Sequence, residues 1–257
     1  MNGLTVHHIW KDIGQLNISE ERQKEGNIRA VRTKLARIME MDPRPITQAR
    51  PFEERLYGNC RDQALMLCSF LRHSGLPARV RKGFMANFPG PKKYDHAICE
   101  VWSNTDHRWL IVDVQIDNML REVQRLPSEA QSFLAARSAQ DTSPEDFLHA
   151  GQAWLKCRAG EDDPMNYGVE GDLWGWFMIR HSLLRDLLAL NKLELLPWDH
   201  IPGSFIGPDR IDPTPEQYAF LDQVAKMTLA ADDALDEIVC FYQETPSLHV
   251  PEDWAYT

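Results

Sequence analysis

The chain has 257 residues, 43% of them hydrophobic, and 28 Lys and Arg against 38 Asp and Glu, which gives a formal net charge of −10. These values are typical of a globular protein with a large core, and they exclude fibrous, collagen-like and disordered classes. The acidic balance argues against a nucleic-acid partner, because phosphate binding draws its affinity from clustered Lys and Arg.

Membrane and secretory signals are missing from the sequence. No window approaches the ~18 uncharged apolar residues of a membrane span, and the opening MNGLTVHHIWKDIG lacks the regions of a signal peptide. We therefore expect a cytoplasmic protein without a membrane partner. The cysteines are odd in number and form no CxxC pair, which indicates free thiols; they are Cys60, Cys68, Cys99, Cys157 and Cys240.

Two helices are predicted before residue 76. The first begins at Ser19 and ends before Asp42, because apolar residues recur at three-to-four spacing: Ile28, Val31, Leu35, Ile38 and Met39. The second runs from Cys60 to Leu71 and ends near Gly75. Asn59 is its predicted N-cap, which places Cys60 in the first turn.

The period then changes to two, which predicts strands over residues 78–84, 96–102 and 108–114. Residues 87–91 are rich in Pro and Gly and predict a loop, and residues 103–107 are short enough to close an antiparallel hairpin.

The remainder of the chain is predicted to be mainly helical. Residues 172–196 predict one or two buried helices, and Thr214 to Gln217 form a capping box before a final apolar stripe, which consists of Tyr218, Leu221, Val224, Leu235, Ile238 and Val239. We predict an N-terminal helical segment at 1–50, a core at 51–120 and a helical extension at 121–257.

The hairpin brings a histidine and a carboxylate to one face of the sheet. If Asn104 to His107 form a four-residue turn, paired residue numbers sum to 211, so that residue 98 faces 113 and residue 96 faces 115. His96 then lies one diagonal step from Asp113, because side chains alternate along a strand.

Cys60 completes the set that nucleophilic thiol chemistry needs. A carboxylate fixes the imidazole tautomer, the imidazole takes the thiol proton, and the N-terminus of a helix favours a thiolate. The backbone N–H of Cys60 is a ready donor to an oxyanion. Tyr57 and Asn59 are candidates for the second donor.

Structural interpretations compete with these assignments. An isolated buried Cys is usually core, as we expect for Cys68 and Cys99, and a zinc site is disfavoured because close ligand pairs are missing. Phosphate-binding glycine motifs do not occur, so we expect no nucleotide cofactor. Given the ligand spacing, we also expect no metal. The tryptophans Trp174, Trp176 and Trp198 are predicted to be mainly core, with Trp174 also a candidate substrate contact.

Four stretches resemble a known family. The run from Gly58 through Asn59, Cys60 and Asp62 to Phe84 resembles the nucleophile helix and following strand of the transglutaminase-like superfamily. The runs 95–102 and 108–113 look like that family's His and Asp strands. Residues 171–199 are similar to the C-terminal half of uncharacterised bacterial transglutaminase-like proteins.

The resemblance implies a papain-like α+β core, in which a nucleophile helix packs on an antiparallel sheet, with additional helices that are mainly C-terminal. It also implies that Cys60 is the nucleophile, His96 the general base and acid, and Asp113 the orienting carboxylate. We therefore predict a thiol acyl-transfer enzyme that acts on an amide or ester carbonyl of a peptide or small molecule. An amine acyltransferase with the same triad and a catalytically silent binding module are the alternatives.

Overall fold

The computed structural model describes residues 1, 3–12, 15–85, 90–169, 171–200 and 213–255. Its helices are α1 Ile9–Asp12, α2 Glu20–Gln23, α3 Val31–Met41, α4 Cys60–His73, α5 Val114–Arg121, α6 Ser128–Ala135, α7 Ala150–Arg158, α8 Trp176–Leu190, α9 Pro215–Leu229, α10 Leu235–Glu244 and α11 Glu252–Ala255. Its strands are β1 Thr5–His7, β2 Leu56–Gly58, β3 Ala78–Met85, β4 Lys93–Ser103, β5 Arg108–Val112, β6 Phe147–His149 and β7 Tyr167–Gly168.

The strands form two sheets. The larger has the order β5-β4-β3-β6, with β7 paired in parallel to the first residues of β4. Strands β1 and β2 form a separate parallel pair. The predicted α+β class is confirmed, because antiparallel pairs of sequential strands are combined with segregated helices.

The chain divides into two compact units. The first consists of residues 1–78, 98–142 and 253–257, and the second of residues 79–97 and 143–252. Strand β4 belongs to both units, because the division falls between Ala97 and Ile98.

The first unit has an apolar core around its N-terminal helices. Leu4, Ile38, Leu56 and Met66 are buried together, and partly buried residues pack against them, namely Met1, Ile28, Val31, Leu35, Met41 and Phe70. This core confirms the apolar face predicted for α3, except that Met39 is exposed.

Helix α4 reaches the sheet in the same unit. Cys68 in α4 is hydrogen-bonded to Cys99 in β4, and Arg72 Nε donates to the carbonyl of Ala78 at the start of β3. The nucleophile helix predicted from the sequence therefore packs on the strands that follow it.

The second unit is built around three mutually packed helices, α7, α8 and α9. The indole of Trp154 in α7 contacts the rings of Trp176 and Tyr218, and its Nε1 donates to Asp222 at 2.7 Å. Helix α9 begins with the predicted capping box, in which the Thr214 side chain accepts from the N–H of Gln217.

The hairpin has the predicted register over its whole ladder. Ser103 pairs with Arg108 and Cys99 with Val112, so the paired numbers sum to 211. The extrapolation of this ladder to residue 115 is wrong, because β5 ends at Val112 and Gln115 lies in α5.

Several predicted helices differ from those observed. The continuous helix expected from Ser19 to Asp42 is interrupted by a 3₁₀ turn, Lys24–Asn27, which buries the side chain of Glu25. The single stripe expected at the end of the chain is divided between α9 and α10, so that Leu235 and Val239 are exposed. Trp198, which we expected to be core, is 56% exposed.

Helix α8 is shorter than the predicted segment 172–196, because it begins after Gly175 and ends at Leu190. The loop predicted at 87–91 falls mainly outside the described residues. Within the described part of the chain, no helix has both the length and the apolar composition that crossing a bilayer requires.

Candidate functional site

The short parallel pair of β1 and β2 positions the backbone that leads to Cys60. His7 pairs with Gly58, and the N–H of His8 donates to the carbonyl of Gly58 at 2.8 Å. Gly58 has no room for a side chain, since a Cβ there would lie 2.6 Å from Oδ2 of Asp62. The backbone that enters α4 is therefore held both by the pairing with β1 and by the close approach of Asp62.

Asn59 caps that helix, as predicted. Its side chain accepts from the N–H of Asp62 at 3.3 Å, and the N–H of Asn59 donates to Oδ2 of Asp62 at 3.0 Å, which makes a reciprocal capping box. Cys60 is the first helical residue and is 8% exposed. A backbone N–H at this position has no acceptor within the helix, so it is available to another group.

Asp62 is the centre of a buried ionic cluster. Its Oδ1 lies 2.9 Å from Nζ of Lys34 and 3.1 Å from Nη1 of Arg61, and all three side chains are buried. Burial lowers the pKa of Lys34, while the nearby Asp62 carboxylate opposes that shift. The cluster joins α3 to the first turn of α4 and thereby fixes the position of Cys60.

A second buried carboxylate holds the strand before Cys60. Glu25 Oε2 accepts from the N–H of Tyr57 at 2.9 Å, and Oε1 lies 3.3 Å from Arg22 Nε and 3.1 Å from Arg37 Nε. Burial raises the pKa of Tyr57.

Asp113 lies in the same unit as Cys60 and caps α5. Its Oδ1 accepts from the N–H groups of Gln115 at 2.9 Å and Ile116 at 3.1 Å, and its own N–H donates to the carbonyl of Ala139. This cap explains why β5 stops two residues before the predicted end. The carboxylate is therefore held rigidly at the junction between β5 and α5.

His96 lies in the part of β4 that belongs to the second unit. It is 3% exposed, and its ring centroid is 6.3 Å from that of Phe147 in β6. Along β4 its side chain alternates with those of Asp95 and Ala97 and shares a face with Tyr94.

Trp174 packs beside Tyr94 in that second unit. The two ring centroids are 5.4 Å apart, and Nζ of Lys92 lies 4.6 Å from the Trp174 ring. Its Nε1 donates to the carbonyl of Gly171. The structure thus groups Tyr57, Asn59, Cys60 and Asp113 in one unit, and His96 and Trp174 in the other.

The remaining cysteines have different surroundings. The hydrogen bond between Cys99 and Cys68, together with burial, raises the pKa of Cys99. Burial raises the pKa of Cys157 to about 12, and Cys240 is exposed. None of these four stands at a helix N-terminus, which distinguishes Cys60.

Sequence reasoning missed the groups that hold Cys60. The spacing of Asn59 and Asp62 is that of a capping box and was a detectable signal. Lys34 and Glu25 carried no signal, because a charged residue in an amphipathic helix is ordinarily solvated.

In terms of general class, the molecule is an α+β protein with a cysteine at the capped N-terminus of a helix that packs on an antiparallel sheet. Residues 15–114 match the family model described as the transglutaminase-like superfamily. This matching segment contains Cys60, His96 and Asp113. No curated protein and no solved structure matches the chain.

The described residues contain no group of three or more His, Cys, Asp or Glu side chains arranged to hold a metal ion.

Proposed function

We propose that this protein is a cysteine-dependent acyl-transfer enzyme that forms a thioester between Cys60 and the acyl part of an amide or ester. The observation that carries the proposal is the position of Cys60, which begins a capped helix inside the segment that matches the superfamily. Members of the superfamily are generally enzymes. The N-terminus of a helix stabilises the thiolate that such chemistry requires.

The proposed reaction has two steps. The Cys60 thiolate attacks the carbonyl carbon, the carbonyl oxygen becomes an oxyanion, and the bond to the leaving amine or alcohol breaks as His96 donates a proton to it. Water or an amine then attacks the thioester while His96 removes its proton, and Cys60 leaves as the thiolate. Asp113 is proposed to orient the imidazole and to stabilise its protonated form.

Asn59 is the favoured second donor to the oxyanion. Its Oδ1 is used by the helix cap, so Nδ2 is the side of the amide that is left to donate. Together with the N–H of Cys60, it would supply the pair of donors that an oxyanion hole needs. Tyr57 is less suitable, because its backbone N–H is already bonded to Glu25.

Acylation by an activated ester tests the proposal. We expect p-nitrophenyl acetate to give a burst of nitrophenol and an acetyl adduct that intact-protein and peptide mass spectrometry places on Cys60. Cys60→Ala and His96→Ala should abolish the burst while circular dichroism stays unchanged. Cys240→Ala is the matched control, because it removes the exposed thiol and should leave the burst intact.

The acyl acceptor is determined in the same assay. Adding glycine ethyl ester at increasing concentration should divert the product from acetate to the acetylated amine if the enzyme is an amine acyltransferase, and should change nothing if water is the acceptor. A folded wild-type protein without a burst and without an adduct on Cys60 would overturn the proposal and favour the silent binding module.

A further inference from the structure

The second unit contains a cavity of about 540 Å³ beside α8. Most of its wall is apolar, and Leu173, Phe177, Met178 and Trp198 contribute to it. This volume falls within the range of about 300–1,000 Å³ that is usual for small-molecule sites. We call it the α8 cavity.

Arg185 contributes to the wall of the α8 cavity and is only 3% exposed. Nη1 is 2.7 Å from Nδ1 of His181, and Nη2 donates to the carbonyls of Pro197 at 2.6 Å and Asp199 at 3.2 Å. The buried Nε–H has no acceptor within the described residues. A guanidinium only donates, so Nδ1 of His181 is an acceptor here.

Another buried arginine of this unit, Arg81, has a carboxylate partner. Arg81 forms a bidentate pair with Asp186, through Nε to Oδ1 at 3.0 Å and Nη2 to Oδ2 at 2.8 Å. Arg185 is the neighbour of Asp186 in α8, yet no carboxylate lies within ion-pair distance of it in the described part of the chain. A cationic donor is thus left in the wall of an apolar cavity.

The acidic groups of the cavity already have donors. Asp95 accepts from Oγ of Ser182 and lies 3.7 Å from Nζ of Lys82, and Oδ2 of Asp199 accepts from the N–H of Leu196 at 2.7 Å. Both carboxylates favour the charged state of Arg185, whose pKa burial lowers. The carboxylates that line the cavity therefore already have donors, whereas Arg185 has no carboxylate acceptor among the residues that the structure describes.

We propose that the α8 cavity binds a small molecule with an apolar body and a terminal acceptor oxygen, a carboxylate or an amide carbonyl, which pairs with the guanidinium of Arg185. The apolar part lies against Leu173, Phe177 and Trp198. A carboxylate binds more tightly than a neutral amide, because a hydrogen bond between two charged groups is about twice as strong.

Cys60 and His96 are not among the described residues that line this site. Asp95 lines the cavity, and the side chain of His96 points to the opposite face of β4, because neighbouring residues of a strand alternate. Binding therefore does not require the thiol, and the ligand can be tested on Cys60→Ala protein. The proposal stands or falls independently of acyl transfer.

Calorimetric titration with three probes of equal chain length tests the proposal: octanoate, octanamide and octylamine. With Cys60→Ala protein we expect octanoate to bind most tightly, octanamide more weakly, and octylamine at least tenfold more weakly than octanoate. Arg185→Met should weaken octanoate at least tenfold and bring it level with octanamide. Arg121→Met, which removes an exposed arginine, is the control and should change nothing.

A second variant covers the case in which Arg185→Met does not fold. Leu173→Trp fills the cavity from its half-buried wall and should abolish octanoate binding while the arginine stays in place. The proposal is overturned if octylamine binds as tightly as octanoate, if none of the probes binds, or if octanoate binding survives both variants.

Discussion

Asp62 in the first unit and Arg185 in the second are both buried charges, but they are satisfied to different degrees. Asp62 receives Lys34, Arg61 and the N–H of Asn59, so its oxygens are fully used. Arg185 donates only to carbonyls and an imidazole, and its buried Nε–H has no acceptor within the described residues. A saturated charge fixes a backbone, whereas an unsaturated charge at a cavity provides a binding group.

This difference predicts opposite responses to mutation. Removing one partner from a saturated buried cluster leaves an uncompensated charge and destabilises the fold strongly. Removing Arg185, which has no ionic partner among the described residues, leaves no uncompensated charge behind. Its loss should therefore lower stability less and weaken ligand binding more.

The largest effect is expected for Asp62→Asn. Lys34 would be left buried without its carboxylate, so the free energy of unfolding should fall by about 3–5 kcal/mol in urea titrations. The loss should be smaller at pH 9 than at pH 7, because without the Asp62 carboxylate the folded-state pKa of Lys34 falls further, so the variant gains more stability than the wild type as the pH rises. Glu40→Gln, at an exposed ion pair with Arg37, should change stability by less than about 1 kcal/mol.

Arg81 and Arg185, both buried in the second unit, provide the next comparison. Arg81→Met would orphan Asp186 and should cost about 3–5 kcal/mol, whereas Arg185→Met should cost about 1–2 kcal/mol, since only neutral acceptors lose a donor. Chemical denaturation of both variants measures the difference. Equal losses would mean that Arg185 is as fully paired as Arg81 and would contradict the comparison.

Two variants of Asn59 distinguish its role as a helix cap from its proposed role as an oxyanion donor. Asn59→Ser keeps a capping oxygen and should change stability by less than about 0.5 kcal/mol, but it removes the Nδ2 donor and should lower the acylation rate about 10²-fold. Asn59→Ala loses both groups and should also cost about 1 kcal/mol in urea. If Asn59→Ser acylates at the wild-type rate, Asn59 acts only as a cap.

The smallest effect concerns a partly exposed carboxylate in the second unit. Burial raises the pKa of Asp162, but hydrogen bonds from Lys93, Asn166 and Tyr167 outweigh it and lower the pKa to about 2. The stabilisation is thus present above the unfolded value of about 3.9 and is lost as the pH falls towards 2. Asp162→Asn should destabilise by about 1 kcal/mol at pH 7, and this difference should shrink between pH 4 and pH 2.

Urea titrations of wild type and Asp162→Asn at pH 7, 5, 4, 3 and 2.5 measure the change. Asp236→Asn, on the exposed side of α10, serves as the charge control and should show no such pH dependence. A difference that stays constant down to pH 2.5 would show that the Asp162 bonds do not depend on its charge.

Local patterns predicted the elements that carry the proposed chemistry. Asn59, Cys60 and the hairpin turn follow from capping preference, apolar spacing and loop length, all of which act within a few residues. The termination of β5 was missed, because the alternating pattern continues through Asp113 and does not show that its carboxylate caps α5.

Sequence patterns could not predict the buried charges. Lys34 and Asp62 are 28 positions apart, and Arg185 and Asp199 meet only after α8 has ended. Such pairs depend on how helices pack, which neither propensity nor periodicity specifies. The partnership of Cys60 with His96 depends on the same kind of long-range placement and stays a prediction.

The pH dependence of thiol alkylation tests the central claim most directly. Iodoacetamide labelling of each cysteine is followed by peptide mapping in the wild type and in His96→Ala, with Cys68 and Cys240 as buried and exposed internal references. The account predicts fast labelling of Cys60 at pH 6, where an ordinary thiol of pKa about 8.5 is almost fully protonated, and loss of that labelling in His96→Ala. Labelling of Cys60 at pH 6 that is no faster than that of Cys240, or that is unchanged in His96→Ala, would contradict it.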